Sequence, residues 1–163
     1  MPLSQSNLGT EAPSLPDPGL SIPRSDGLTA GLLTPIAEDL AEVEARLIAM
    51  AAVAGGPLQL LLGRALSTRG KLLRPALTIA SGRLFRGSSF NLGPEAPRSP
   101  AGLYAMASAV ECLHTASLIH DDIIDETLER RGSPSLHASA GGGAAILAGD
   151  YLFAQAAATA SVI

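Results

Sequence analysis

His114-Thr-Ala-Ser-Leu-Ile-His120-Asp121-Asp122-Ile-Ile-Asp125-Glu-Thr-Leu-Glu-Arg130-Arg131-Gly132 decides how the rest of the chain is read. Leu113, Ala116, Ile119, Ile123 and Ile124 recur at helical spacing, so the acidic residues project from a helix that buries its other sides. On such a helix Asp121 and Asp125 stand one turn apart, about 6 Å along the axis, and point the same way. Two carboxylates on one face repel each other unless a cation lies between them, and Mg²⁺ is the usual partner where phosphates complete its octahedron. His114 lies two turns before Asp121 on the same face. Arg130 and Arg131 add two permanent cations suited to bidentate bonds with phosphate oxygens. The stretch therefore reads as a metal and phosphate site. His120 beside Asp121 permits a competing reading as the histidine-aspartate doublet of a metal-dependent phosphohydrolase, but this leaves the cations without a role and sets the two side chains about 100° apart on the helix. His114 also admits a reading as a core histidine whose bonds are satisfied by its neighbours.

Around this stretch the composition is that of a helical protein. The 163 residues are 47% hydrophobic and only 16% charged, with abundant Ala and Leu, two Tyr, three Phe and no Trp. β-Sandwiches draw more heavily on aromatic and β-branched residues. We therefore expect an all-α fold. A net charge of −4 with no basic run excludes broad nucleic-acid binding. Asp150 interrupts the most apolar stretch, from Ala138 to Ile163, so no transmembrane segment is expected. The single cysteine, Cys112, falls in apolar helical sequence and reads as a buried structural thiol. The start of the chain lacks a secretory signal pattern, and a cytoplasmic location is the default expectation.

Residues 1–27 carry five prolines among Ser, Gly and Asn and read as a disordered leader ahead of a helical domain over 28–163. Ile36, Leu40, Val43, Leu47 and Met50 mark an amphipathic helix, with Thr34-Pro35 as its capped start and Gly55-Gly56-Pro57 as its stop. A short helix over Leu58 to Leu66 follows. The polar loop Ser67-Thr-Arg-Gly-Lys71-Leu-Leu-Arg74-Pro75 then enters a helix from Ala76 to Phe85, placing Lys71 and Arg74 beside a positive helix N-terminus where an anion would be favoured. Residues 86–99 form a loop rich in Gly, Pro and Ser. Ser99-Pro100 opens the long site helix, expected to run to Leu128. Ser133-Pro134 and Gly141-Gly142-Gly143 bracket a connection in which His137 is expected to be exposed. Ala144 to Ile163 reads as a last helix, with Asp150 expected to face a buried polar partner. The pattern stops at Ile163 without a helix-ending signal, as at a cut end.

Together these motifs resemble the N-terminal part of the trans-polyprenyl diphosphate synthase (polyprenyl synthetase) family. Asp121-Asp122-Ile-Ile-Asp125 followed by Arg130-Arg131-Gly132 is similar to its first aspartate-rich motif, Gly70-Lys71-Leu-Leu-Arg74-Pro75 to its early basic motif, and Leu147-Ala-Gly-Asp-Tyr-Leu-Phe153 is also family-like. The resemblance covers about residues 30 to 163. It implies the N-terminal half of an antiparallel helical bundle of the isoprenoid synthase type, and a prenyltransferase that condenses an allylic prenyl diphosphate with isopentenyl diphosphate. Carried over by position, Asp121 and Asp125 would be the catalytic ligands of Mg²⁺. Arg130 would contact the allylic diphosphate, and Lys71, Arg74, His114 and Arg131 would hold isopentenyl diphosphate. The small Ala116 and Ser117 would line the chain-length pocket and imply a product longer than farnesyl, since bulky aromatics there block the growing chain in the family. Two departures stand out: Arg69 replaces a usual glycine, and the chain ends before the family's second aspartate-rich motif, so the chain alone is expected to be incomplete as a catalyst. A homodimer or a heterodimer is expected. The alternative is a non-catalytic partner subunit of a heteromeric synthase, although a purely structural subunit has no physical need for such a cluster of like charges.

Overall fold

A computed structural model of the chain describes residues 33–67, 72–86 and 100–163. The expected leader over 1–27, Arg69, Lys71 and Ser99 lie outside the described residues. A 3-10 turn, Thr34–Ile36, leads into α1, Ala37–Ala54, followed by α2, Gly56–Ser67, α3, Leu73–Arg86, and α4, Pro100–Ile124. A two-residue hairpin of β1, Glu129–Arg130, and β2, Ser133–Pro134, then precedes the short α5, Leu136–Ala140, and the last helix α6, Gly142–Ala160. The fold is all-α, as the composition and periodicity imply. No helix among the described residues is long and apolar enough to cross a membrane.

α4 runs through the middle of the bundle, most extensively against α6 and also against α1 and α3. Val43 and Leu47 of α1, Leu62 of α2, Ile79 of α3, Cys112 and Ala116 of α4, and Leu152 of α6 are all withdrawn from water. Each buried Leu or Ile contributes about 1.5–3 kcal/mol relative to exposure. The buried faces of α4 and α6 are rich in small residues, Ala109 and Ala116 on α4 and Ala145, Ala148, Gly149 and Ala156 on α6. This brings the backbones close and lets α6 brace the C-terminal half of the site helix. The Cys112 thiol lies 3.4 Å from the Met50 sulfur, and burial pushes its pKa up to about 12, so it is an inert packing group as expected.

At Gly149 the braced contact is tight enough to exclude a side chain. A Cβ there would collide with the His120 imidazole, which also faces the Phe153 ring at 5.5 Å and stands 3.6 Å from Asp150. We therefore expect Gly149→Ala to cost about 1–2 kcal/mol in urea unfolding, because the imidazole must swing out of these contacts. In a His120→Ala background the same substitution should cost little.

Several expected boundaries move, each for a local reason. α1 starts at Ala37 with Ile36 as its N-cap and no side-chain cap, so Thr34-Pro35 opens the 3-10 turn instead of the α-helix. α3 starts at Leu73, which puts Pro75 in the first turn, where its missing N–H has no intrahelical role. α4 ends at Ile124 rather than Leu128 through a Schellman closure: Thr127 N–H donates to the Asp122 carbonyl at 2.9 Å and Glu126 N–H to that of Ile123 at 3.3 Å, with Glu126 at φ +51°. His137, expected to be exposed, is half-buried in α5 with Nδ1 3.1 Å from the Ser135 hydroxyl. Asp150, expected to face a buried polar partner, stands 3.6 Å from the half-buried His120 and is itself 63% exposed, because its helix turns Gly149 and Leu152 inward.

Candidate diphosphate and metal site

The site grows from the C-terminal end of α4. Asp121 lies in its last turn and Asp125 in the closing turn, where Asp125 N–H still donates to the Asp121 carbonyl at 2.8 Å. Both carboxylates are exposed, and no salt bridge among the described residues engages either. Ser117 and Leu113 lie one and two turns before Asp121 on this open face, half-buried and exposed respectively. The Ser117 hydroxyl donates to the His114 carbonyl at 2.8 Å. Ala116, paired with Ser117 in the expected chain-length pocket, is fully enclosed in the core.

Asp122, about 100° round the helix, has a different environment. It is 4% exposed and accepts from Arg130, whose Nε is 2.8 Å from both carboxylate oxygens and whose Nη2 also donates to Oδ1. This bond raises the Arg130 pKa still further. Arg131 and Gly132, at φ +54° and +76°, form the two central residues of the hairpin turn that pairs Arg130 with Ser133. Positive φ at both is the mark of the two-residue turns that match strand twist, which explains the glycine after the arginines. Ser135 N–H donates to the Leu128 carbonyl at 2.9 Å and ties the hairpin back to the segment leaving α4. The Schellman closure and the hairpin thus fold the chain back so that Arg130 reaches a residue eight positions earlier.

Beside this ion pair lies a cleft of about 320 Å³ between α2, α4, the hairpin and α5. His114, Arg130 and Arg131 line it, together with Arg64 of α2 and the buried Glu111 and Asp122 of α4. The sequence does not single out Arg64 or Glu111, and it places Asp122 in the aspartate-rich motif without giving it a role. Glu111, Thr115 and Asp122 share a helical stripe, and their polar character on an otherwise buried face was the available signal. Arg74 is exposed in the first turn of α3. Its charge reaches His114: burial, then Arg74, Arg131 and Arg130, hold the imidazole pKa below its ordinary value, while Asp121 opposes the shift weakly. Lys71 precedes α3 outside the described residues.

The direction of the His114 shift sets a pH dependence. A histidine whose folded pKa is depressed binds fewer protons when folded, so its stability contribution is complete above the unfolded pKa of about 6.5 and declines as pH falls below that value toward the folded pKa. His114→Gln should flatten this part of the stability profile measured by urea melts between pH 7.5 and 5. An anion in the cleft neutralises the arginines and favours the imidazolium, so binding of a diphosphate should take up a proton in the same range.

Among the described residues, no three His, Cys, Asp or Glu side chains gather closely enough to cage a metal unaided. Asp121 and Asp125 instead offer two hard oxygen donors on an open face, a set that suits a divalent cation whose remaining positions are filled by phosphate and water.

The geometry has close counterparts in solved structures. A decaprenyl diphosphate synthase from Rhodobacter capsulatus superposes with a TM-score of 0.67 at 31% identity, over 82% of this chain and 38% of that one. A polyprenyl synthase from Caulobacter crescentus, complexed with calcium and isoprenyl diphosphate, gives a TM-score of 0.63 at 30% identity, over 82% and 38%. The fold is that of the helical isoprenoid synthases. In sequence, a short chain isoprenyl diphosphate synthase from Methanothermobacter thermautotrophicus is 44% identical over 87 residues, 53% of this chain and 23% of that protein. The family model for polyprenyl synthetase matches residues 57–162, and the chain belongs to that family. It spans less than half the length of each of these relatives.

Proposed function

We propose that the chain supplies the first metal- and diphosphate-binding part of a trans-prenyltransferase, which joins an allylic prenyl diphosphate head-to-tail to isopentenyl diphosphate. The observation that carries this reading is the convergence at one end of α4 of two exposed carboxylates a turn apart with a cleft lined by His114, Arg130 and Arg131. In this reading Asp121 and Asp125 would hold Mg²⁺, which would supply positive charge to offset that of the allylic diphosphate. Arg130, fixed by Asp122 through Nε and Nη2, would contact the same leaving group. His114, Arg131, Arg74 and Lys71 hold the diphosphate of isopentenyl diphosphate, leaving its alkene to face the allylic carbon. The carbon–oxygen bond breaks, the alkene forms the new carbon–carbon bond, and loss of a proton restores an alkene. The chain's part is electrostatic and positional, so no protein nucleophile is needed. Of the two small residues read as lining the chain-length pocket, Ser117 is half-buried on the face of Asp121 while Ala116 lies in the core, so in this reading Ser117 is the one that would leave room for a product longer than farnesyl.

Calorimetric titration of the purified chain tests the assignment. Isopentenyl diphosphate should bind without added metal, whereas farnesyl diphosphate should bind at least about tenfold more tightly with Mg²⁺ than in EDTA, a difference of about 1.4 kcal/mol. Binding of neither ligand, or metal-independent binding of farnesyl diphosphate, would overturn it.

A further inference from the structure

Away from the cleft, one buried ionisable group has no part in the chemistry above. Asp39, in the first turn of α1, is 4% exposed. Its Oδ1 accepts from the Tyr104 hydroxyl of α4 at 2.7 Å and from Arg83 Nη2 of α3 at 2.8 Å. Arg83 Nη2 is also 2.7 Å from Oδ2, so the guanidinium bridges both carboxylate oxygens. Arg83 Nη1 donates in addition to the Pro35 carbonyl at 3.3 Å. The Arg46 guanidinium stands 6.0 Å from the Tyr104 ring centroid and carries its own bond to Glu42. Three helices therefore meet on one carboxylate.

As a source of stability this is a poor arrangement. The Arg83 side chain is 51% exposed, so water screens its pair with Asp39 and the pair contributes little to stability. What the cluster does supply is direction. Arg83 and Tyr104 reach Asp39 through oriented bonds, and next to them Gly82 admits the Leu103 side chain so closely that a Cβ would be 3.0 Å from Leu103 Cδ2 and nearer still to Cδ1. A slide or rotation of α3 along α4 would break the bonds and close the notch. Arg74 lies nine residues before Arg83 on the same helix, about 13 Å along the axis. The position of its guanidinium is therefore tied to how α3 is set against α4.

We infer that Asp39, with Arg83 and Tyr104, is a positioning cluster that sets the register of α3 on α4 and so sets where Arg74, in the first turn of α3, stands for the isopentenyl diphosphate subsite. The inference rests on the function proposed above and assigns Asp39 no contact with either substrate. Its action is on one ligand alone: the aspartates that serve the allylic diphosphate are on α4 itself, and their placement does not depend on α3.

The experiment compares two variants with the unsubstituted chain by calorimetry and thermal unfolding. Asp39→Leu combined with Arg83→Met removes both charges and leaves none unpaired in the core. This double variant should keep its melting temperature while its Kd for isopentenyl diphosphate rises about tenfold, the loss of one well-placed charged contact. Its Kd for farnesyl diphosphate with Mg²⁺ should stay within about twofold. Tyr104→Phe, which removes one hydrogen bond and keeps the ring, should raise the isopentenyl diphosphate Kd about threefold with the same selectivity. Unchanged isopentenyl diphosphate binding, or an equal loss for both ligands, overturns the inference while leaving the proposed function standing. If the double variant does not fold, Tyr104→Phe decides by the same reading. Failure of the unsubstituted chain to bind isopentenyl diphosphate is a separate result, which removes the subsite assignment and the inference with it.

Discussion

Asp121→Asn should weaken Mg²⁺-dependent binding of farnesyl diphosphate by about 10²-fold or more while leaving the melting temperature unchanged. The separation of the two effects follows from where the carboxylate stands. Asp121 is exposed in the last turn of α4, and no salt bridge among the described residues depends on it. The like charge on the same face is Asp125 at i+4, a spacing that costs an isolated helix about 0.2–0.5 kcal/mol, so neutralising one member is neutral or slightly favourable for the fold. For the ion the balance is different. Two unit charges 4 Å apart interact by roughly 4 kcal/mol at an effective dielectric of 20, and a divalent cation doubles that before the cost of displaced water is counted. Calorimetry in Mg²⁺ and in EDTA gives the comparison; a Kd within about threefold of the unsubstituted chain would remove Asp121 from the metal site. Asp125→Asn should behave in the same way, and Asp122→Asn should not.

Arg130→Met should be the more damaging half of an asymmetric pair, destabilising the chain by about 3 kcal/mol against about 1 kcal/mol for Asp122→Asn. The asymmetry comes from burial. The Asp122 side chain is 6% exposed and the Arg130 side chain 34%. Removing the arginine strands a carboxylate in the core, whereas removing the carboxylate's charge leaves an arginine that water can still reach. The figure for Arg130→Met stands at the low end of the range for broken buried pairs, because the partner's exposure already screens the interaction. Urea unfolding of both variants and of the double variant gives the coupling directly. Equal losses would mean that the two residues are held by something other than each other.

These contrasting roles of Asp121 and Asp122 show where sequence reading succeeds and where it stops. Helical periodicity made α1, α4 and α6 legible, because an apolar residue every three or four positions needs only a core to face. The spacing of Asp121 and Asp125 carried as well, since the closing turn after Ile124 preserves the bond from Asp125 to Asp121. The role of Asp122 was hidden. Its partner is eight residues away across a helix end and a hairpin, and both turns are made by residues, Glu126 and Arg131, that seldom adopt positive φ. Local propensity gave no warning of either. Arg64 was missed for a related reason: it lies on a different helix from every motif, and only packing of α2 beside α4 brings it to the cleft. The exposure of Asp150 was not legible, because an aspartate in an apolar helix suggests burial, whereas Gly149 takes the inward position against His120 and leaves Asp150 to approach that ring from the surface.

The contact between Cys112 and Met50 gives the chain an internal clock. Because this lone sulfhydryl is sealed between helices and its ionisation is suppressed, an alkylating reagent can reach it only when α1 parts from α4. The rate of labelling therefore counts openings of the bundle, and comparing it with and without a bound diphosphate reads how far occupation of the cleft at one end of α4 is felt in the helices that close over its middle.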